Sequence, residues 1–210
     1  MYAKCLFPIH IYQTNIGTNN ILQKELLSKI EDLHNSGKLE IPKAWITDKL
    51  STSFKYDDLN HHLFNNTQTL QTYYEYIPRF FDLEVEFIIK NMWFNYYING
   101  EWQEMHTHVV DNYFKTPSTF SCVHFLKYNP EIHTPLTFID PIEHLRYSSL
   151  EMNIHRYDSK YPLQIKEGDL VMFPSYLQHY VKPSKPTPDY PRITIAFNLQ
   201  LLRYGNEKAD

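Results

Sequence analysis

Glycine is scarce in this chain, with 5 in 210 residues, and cysteine scarcer still, with Cys5 and Cys122 only. Two cysteines without a CxxC pair exclude a small disulfide-stapled scaffold and make a reducing compartment, the cytoplasm, the expected one. No apolar run approaches the roughly 18 residues a membrane-spanning helix needs. The opening Met1 to His10 has an early proline and no sustained apolar stretch, so no secretory leader is expected. Net charge is −4 and Lys/Arg form no long cluster, which argues against nucleic-acid binding. Charged residues make up 21% and apolar residues 42%, which places the chain with ordinary globular proteins rather than disordered ones.

Aromatic residues are abundant: 17 Tyr, 13 Phe and 3 Trp. They favour half-buried pleated surfaces, so a sheet-rich fold is expected. Leu6 to Tyr12 reads as a short strand. After Asn19-Asn20, a capping pair, apolar residues at 22, 26, 27, 30 and 33 recur at helical spacing and predict a helix to about Asn35-Ser36-Gly37. Residues 38–65 are polar and irregular, with one short turn near Tyr56–His62. A second helix is expected from Thr67 to Tyr76, stopped by Pro78.

From Glu84 the pattern changes to strands: 85–98 before an Asn99-Gly100 turn, then 101–108, 119–128, 136–139, 163–165, 170–173, 179–181 and 192–201. Asp140 to Pro162 reads as a surface loop or lid. Short strands with helices confined to the first 80 or so residues predict a mainly β, α+β fold, a jelly roll buttressed by helices. One domain over 1–210 is expected, with a helical support region at 1–83 and the jelly-roll core at 84–203.

The chemistry gathers in His106-Thr107-His108 and, downstream, His179 and Arg192. In an extended segment, residues i and i+2 project to one face about 6–7 Å apart, so both histidines can meet one ion. On a helix the same spacing separates them. Imidazole suits iron, zinc, copper or nickel, and His179 from a later strand completes a set with open coordination positions. Arg192 sits in an apolar strand beside Ile193, Ile195, Ala196 and Phe197, where a permanent charge needs an anionic partner. Thr194, on the same face, can share that partner. His61-His62 is expected to be solvated, and His133, His144 and His155 to lie at the surface. Lys182 to Pro188 is an extended Pro-rich connector.

His106-Thr107-His108, Thr119 to Leu126, and Gly168 to Pro174 with His179 and Arg192 resemble the 2-oxoglutarate/Fe(II)-dependent oxygenases. The branch they resemble is prolyl-hydroxylase-like, with uncharacterised members common in marine bacteria and their phages. Trp93-Phe94-Asn95 and Leu6-Phe7-Pro8 match the same branch. The resemblance implies a double-stranded β-helix, a cupin-like jelly roll, with N-terminal helices outside. It implies His106 and His179 as iron ligands and Arg192, helped by Thr194, as the partner of the far carboxylate of 2-oxoglutarate. No catalytic side chain beyond the metal site is implied. The cofactors would be Fe(II), 2-oxoglutarate and dioxygen, with ascorbate as an accessory reductant. The products would be succinate, CO2 and a hydroxylated peptide or small molecule, with peptidyl proline the leading class. Location would be the cytoplasm, of the host cell if the gene is carried by a phage.

At the second ligand position the chain departs from the pattern: most members place Asp or Glu there, and this chain has His108. Asp111 is the alternative carboxylate. Where relatives place a cosubstrate-binding Tyr, the strand has Phe125, so Asn95, Tyr97 or His124 must serve instead. Val123, Leu170, Met172 and Phe197 are expected to line the interior. Two readings compete with the oxygenase: a three-histidine cupin-type metalloprotein that does not use 2-oxoglutarate, and a non-catalytic jelly-roll module.

Overall fold

The structure is a computed structural model, and it describes residues 8–17, 21–43, 45–47, 50–65, 67–109, 118–143 and 158–205. Asp111, His144, His155, most of the expected lid, the Asn19-Asn20 pair and Leu6 to Phe7 lie outside the described residues.

Among the described residues the chain is mainly β, in two antiparallel sheets. The larger contains β1 (Tyr12–Asn15), β2 (Ser51–Thr52), β3 (Val85–Tyr97), β5 (Phe120–Lys127), β8 (Asp169–Pro174) and β10 (Arg192–Tyr204), in the order β1-β8-β5-β10-β3-β2. The smaller contains β4 (Gln103–His106), β6 (Leu136–Ile139), β7 (Lys160–Pro162) and β9 (His179–Val181), in the order β4-β9-β6-β7. Three helices, α1 (Ile21–Asn35), α2 (Asp57–Phe64) and α3 (Thr67–Tyr76), precede β3, and a 3₁₀ turn follows at Ile77–Phe80 where Pro78 cannot continue α3. No described helix is long and apolar enough to cross a membrane.

The 13-residue strands β3 and β10 form the spine, paired Arg192↔Tyr97, Thr194↔Asn95, Ala196↔Trp93 and Asn198↔Asn91. Strand β5 flanks β10 with Thr194↔Phe125, Ala196↔Val123 and Asn198↔Ser121. Because side chains alternate, this register sorts them into two rows. The odd-numbered row of β10, Ile193, Ile195, Phe197 and Leu199, packs with Phe94, Leu170 and Met172 under Leu26 and Ile30 of α1 and Tyr73 of α3. Truncating a ring as buried as Phe197 would cost about 3–5 kcal/mol. The even-numbered row faces the small sheet, where Trp93, Val123, Phe125, Val171, Phe173 and Ala196 meet Leu136, Phe138 and Val181.

Several expectations need correcting. Leu170, Met172 and Phe197 belong to the helix-facing core, and of the four proposed interior residues only Val123 faces the small sheet. The shift is one residue of register, which moves a side chain to the opposite face. Residues 57–64 form a full helix, its Asn60 tied to the Ser53 carbonyl at 2.8 Å. The strand expected at Leu163–Ile165 lies at Lys160–Pro162, and the first strand starts at Tyr12. Helix α1 ends as the spacing predicts: Gly37, at φ 64°, donates its amide to the His34 carbonyl at 3.1 Å in a left-handed stop.

Candidate metal centre

Strand β4 ends at His106, which pairs directly with His179 of β9. Between the Gln103↔Val181 and His106↔His179 pairs, β4 spends one residue more than β9, a bulge that redirects the strand end. The chain then leaves the sheet, and the His108 amide donates to the Ser175 carbonyl at 2.9 Å. This anchor turns the second imidazole back toward the first.

The three rings converge. Their ligand nitrogens lie within 4.8 Å of one another, and His106 Nε2 is 3.2 Å from His108 Nε2. Each opposite ring nitrogen is already engaged. His106 Nδ1 donates to the Glu104 carbonyl at 2.7 Å and His179 Nδ1 to the Leu177 carbonyl at 2.9 Å. His108 Nδ1 donates to Asn198 Oδ1 at 2.7 Å. A carbonyl only accepts, so the protons sit on Nδ1 and three Nε2 lone pairs point at one another. Burial holds all three rings below their ordinary pKa. His108 falls to about 3, through burial first and then its neighbour His106, and His179 falls well below 6.5 for the same kinds of reason. Three neutral donors facing one another without a hydrogen between them form a cation site. Metal–imidazole bonds of about 2.1 Å put neighbouring donors about 3 Å apart, which the 3.2 Å pair matches.

Asn198 extends the site outward. Its Oδ1 also accepts from Ser121 Oγ at 2.9 Å, its Nδ2 donates to Asn91 Oδ1 at 3.0 Å, and Ser121 meets Ser175 Oγ at 2.9 Å. The sequence reading missed these four residues. The available signal was polar residues on the same face as Arg192, at its i+6 position on β10 and in the apolar run of β5.

The cavity beside the histidines is also lined by Asn95, Tyr97, Arg192 and Thr194. Arg192 is 3% exposed, and its guanidinium lies 4.9 Å from the Tyr97 ring centroid and 5.4 Å from that of Phe125. One nitrogen donates to the Thr134 carbonyl at 2.9 Å, while Nε is buried without a partner. No carboxylate among the described residues pairs with it. A buried guanidinium with a free donor is costly unless an anion supplies the acceptor. Asn95 Oδ1 and Trp93 Nε1 are two further buried atoms without a partner, and Tyr97 spends its hydroxyl on Gln103 at 3.2 Å.

His124 does not reach this cavity. It lies on the helix-facing side of β5, where Nδ1 meets the Tyr73 hydroxyl at 2.9 Å and burial lowers its pKa to about 4. Strand alternation gives the cavity Val123 and the helices His124, so His124 is no cosubstrate ligand. His133 is also not a surface residue. It is 5% exposed, and its ring bonds the Asn129 amide and the Tyr190 carbonyl, each at 3.0 Å. His61 and His62 are exposed, as expected.

Residues 91–198 match the family described as "Putative 2OG-Fe(II) oxygenase". No curated protein matches the chain. Among solved structures, a prolyl-4-hydroxylase from Pseudomonas putida superposes with a TM-score of 0.56 at 16% identity, covering 91% of this chain and 92% of that one. A Trichoplax adhaerens prolyl hydroxylase in complex with a hypoxia inducible factor peptide gives 0.56 at 12% identity, covering 90% and 82%. EctD from S. alaskensis, with 2-oxoglutarate and 5-hydroxyectoine, gives 0.56 at 16% identity, covering 91% and 72%. At these identities the likeness is one of fold.

Proposed function

Since the chain belongs to the 2OG-Fe(II) oxygenase family, with a matched segment that includes His106, His108, His179 and Arg192, we propose that these residues build its iron and 2-oxoglutarate sites and that it hydroxylates a C–H bond. The observation that carries this reading is the convergence of three imidazole lone pairs in the same cavity as a buried arginine with an unused donor. The two sheets are read as the halves of a double-stranded β-helix in a single domain over 1–210, with 1–83 as helical support.

Iron(II), 2-oxoglutarate and dioxygen together supply oxidative decarboxylation to succinate and CO2 coupled to hydroxylation of the substrate. The protein's part is positioning and electrostatics. His106, His108 and His179 present neutral Nε2 atoms, and their carbonyl partners lock each ring in the productive tautomer. Arg192 holds the far carboxylate of the cosubstrate, with Thr194 as a second donor and Tyr97 and Phe125 keeping the guanidinium in place. Asn95 is the candidate for a further polar contact to the cosubstrate, since its Oδ1 is buried and unused. Val123, Leu136, Val181 and Ala196 make the remaining wall apolar and limit water.

The substrate is a peptide or a small molecule. A peptidyl prolyl residue is the first to test, by analogy of fold with the two prolyl hydroxylases. The deciding experiment mixes metal-loaded protein with 2-oxoglutarate and follows binding anaerobically and succinate formation in air. Metal-dependent binding lost in Arg192→Ala supports the assignment. Full metal loading with no 2-oxoglutarate binding favours instead a three-histidine metalloprotein of cupin type, the reading to which His108 lends weight.

A further inference from the structure

Arg192 is held by a turn rather than by its own strand. Its guanidinium sits among the rings of Tyr97, Phe125 and Tyr128, at 4.9, 5.4 and 5.7 Å, and it donates to the Thr134 carbonyl at 2.9 Å. Tyr128 and Thr134 both belong to the connection between β5 and β6. Connections move more than the strands they join, so this one holds Arg192 only if it is itself fastened to the start of β10.

His133 makes that fastening. The ring is 5% exposed and stands between the two segments. Its Nδ1 accepts the Asn129 amide hydrogen at 3.0 Å, which leaves the ring proton on Nε2. Nε2 then donates to the Tyr190 carbonyl at 3.0 Å, two residues before Arg192. The ring also packs between Tyr128 and Tyr190, with centroids 5.4 and 6.0 Å away. One imidazole therefore closes the turn on itself and ties it, one residue from Thr134, to the segment that delivers Arg192. Burial above all, with Arg192 adding to it, holds the ring below its ordinary pKa against the Tyr190 bond and Glu167. The tie thus adds no charge beside the guanidinium. Farther out, Glu167 accepts from the Tyr128 amide at 2.9 Å and from the Tyr190 hydroxyl.

We infer that His133, although off the cavity wall, is a positioning residue for cosubstrate binding. Its two-way bond sets where the Thr134 carbonyl and the Tyr128 ring hold Arg192, and so how the guanidinium meets an incoming carboxylate. That the carboxylate is one of 2-oxoglutarate rests on the assignment of the previous section; the placing of Arg192 does not.

Two substitutions separate the tie to Tyr190 from the bond inside the turn. In His133→Gln the side-chain amide N–H reaches about as far as Nε2 and can still donate to Tyr190. In His133→Asn the side-chain oxygen lies near the Nδ1 position and serves only Asn129. The full chain, loaded with Co(II), is titrated with 2-oxoglutarate without oxygen, beside Co(II) titration and thermal melting of each variant. His133→Phe keeps the ring and loses both bonds; it should raise the Kd about tenfold, and His133→Asn nearly as much. His133→Gln should stay within about threefold of wild type, and Co(II) affinity should not change in any of them. Nitrogen–proton NMR reads Arg192 without cosubstrate. Its buried Nε–H should give a slowly exchanging signal, identified by its loss in Arg192→Lys. That signal should shift or broaden in His133→Phe and His133→Asn and persist in His133→Gln.

An unmoved Arg192 signal or a wild-type Kd in His133→Phe overturns the inference. Rescue by His133→Asn and not by His133→Gln does so too, since closure of the turn would then be the whole role. An equal fall in melting temperature and in Co(II) affinity across all three variants would mark a general structural role and likewise sink it. If His133→Phe does not fold, the other two variants carry the same comparison. If the wild type binds no 2-oxoglutarate, the oxygenase reading fails, and the Arg192 signal still decides whether His133 places the guanidinium.

Discussion

His108 and Asn198 are 90 residues apart in the chain and 2.7 Å apart in the fold, the imidazole Nδ1–H donating to the side-chain amide oxygen. That bond selects the tautomer in which His108 presents its Nε2 lone pair to His106 and His179. Asn198→Ala removes the acceptor and frees the ring to rotate. Metal affinity should fall about 10–100-fold, while Asn198→Asp, which keeps an acceptor, should lose far less. Unchanged affinity in the alanine variant, read by metal titration, would show that Asn198 plays no part in orienting the ring.

Arg192 should govern cosubstrate binding without governing the metal. Truncating one partner of a buried charge pair costs about 2–5 kcal/mol, so Arg192→Ala should raise the Kd for 2-oxoglutarate about 30-fold or more. Metal stoichiometry should stay the same. Arg192→Lys should recover only part of the loss, because an ammonium cannot reproduce the two-pronged contact. Wild-type 2-oxoglutarate affinity in the alanine variant would remove Arg192 from the site.

Acid should destabilise the metal-free protein through its buried histidines. Burial depresses His106, His108 and His179, with His108 near 3, and burial alone takes His124 to about 4, against an ordinary 6.5. Each folded value lies below the unfolded one, so between them the unfolded chain binds more protons. Stability is complete above about pH 6.5 and declines as pH falls toward 4, by up to about 1.4 kcal/mol per pH unit for each group. Thermal denaturation at about pH 7.5 and pH 5 measures this decline. A melting temperature flat across that interval contradicts it.

Gly100 should resist substitution where Gly37 does not. Both have positive φ, 83° and 64°. A Cβ on Gly37 meets nothing within 4 Å, whereas one on Gly100 would overlap the backbone carbonyl of Ser184. Gly37→Ala should cost about 1–2 kcal/mol for the left-handed backbone alone. Gly100→Ala adds displacement of the Pro-rich connector and should melt at least several degrees lower. Equal melting temperatures would mean that the connector yields freely.

Much of the framework is legible along the chain because its signals are local. Helix α1 follows from the spacing of its apolar residues, the end of α3 from Pro78, and the ends of β3 and β9 from β-branched and aromatic runs bounded by turns. Helix α2 is not legible, because Asn60 and the Ser53 carbonyl replace the apolar stripe that would announce it. Strand β7 sits where a polar, Pro-rich sequence reads as loop, held by its pairing with β6 rather than by its own propensity.

The sequence by itself determined the chemical inventory: two histidines at i and i+2, a third downstream, and an arginine in a strand too apolar to keep a charge without a partner. Only the tertiary structure decided which faces those strands present. One residue of register sends His124 to the helices and Val123 to the cavity, and it buries Leu170, Met172 and Phe197 away from the site. It also decided that Asn198 stands behind His108 and that Arg192 keeps an unused donor. The physical reason is that a strand's side chains alternate every residue. A composition or a spacing names the groups, but the pairing of strands far apart in the chain chooses which of them meet.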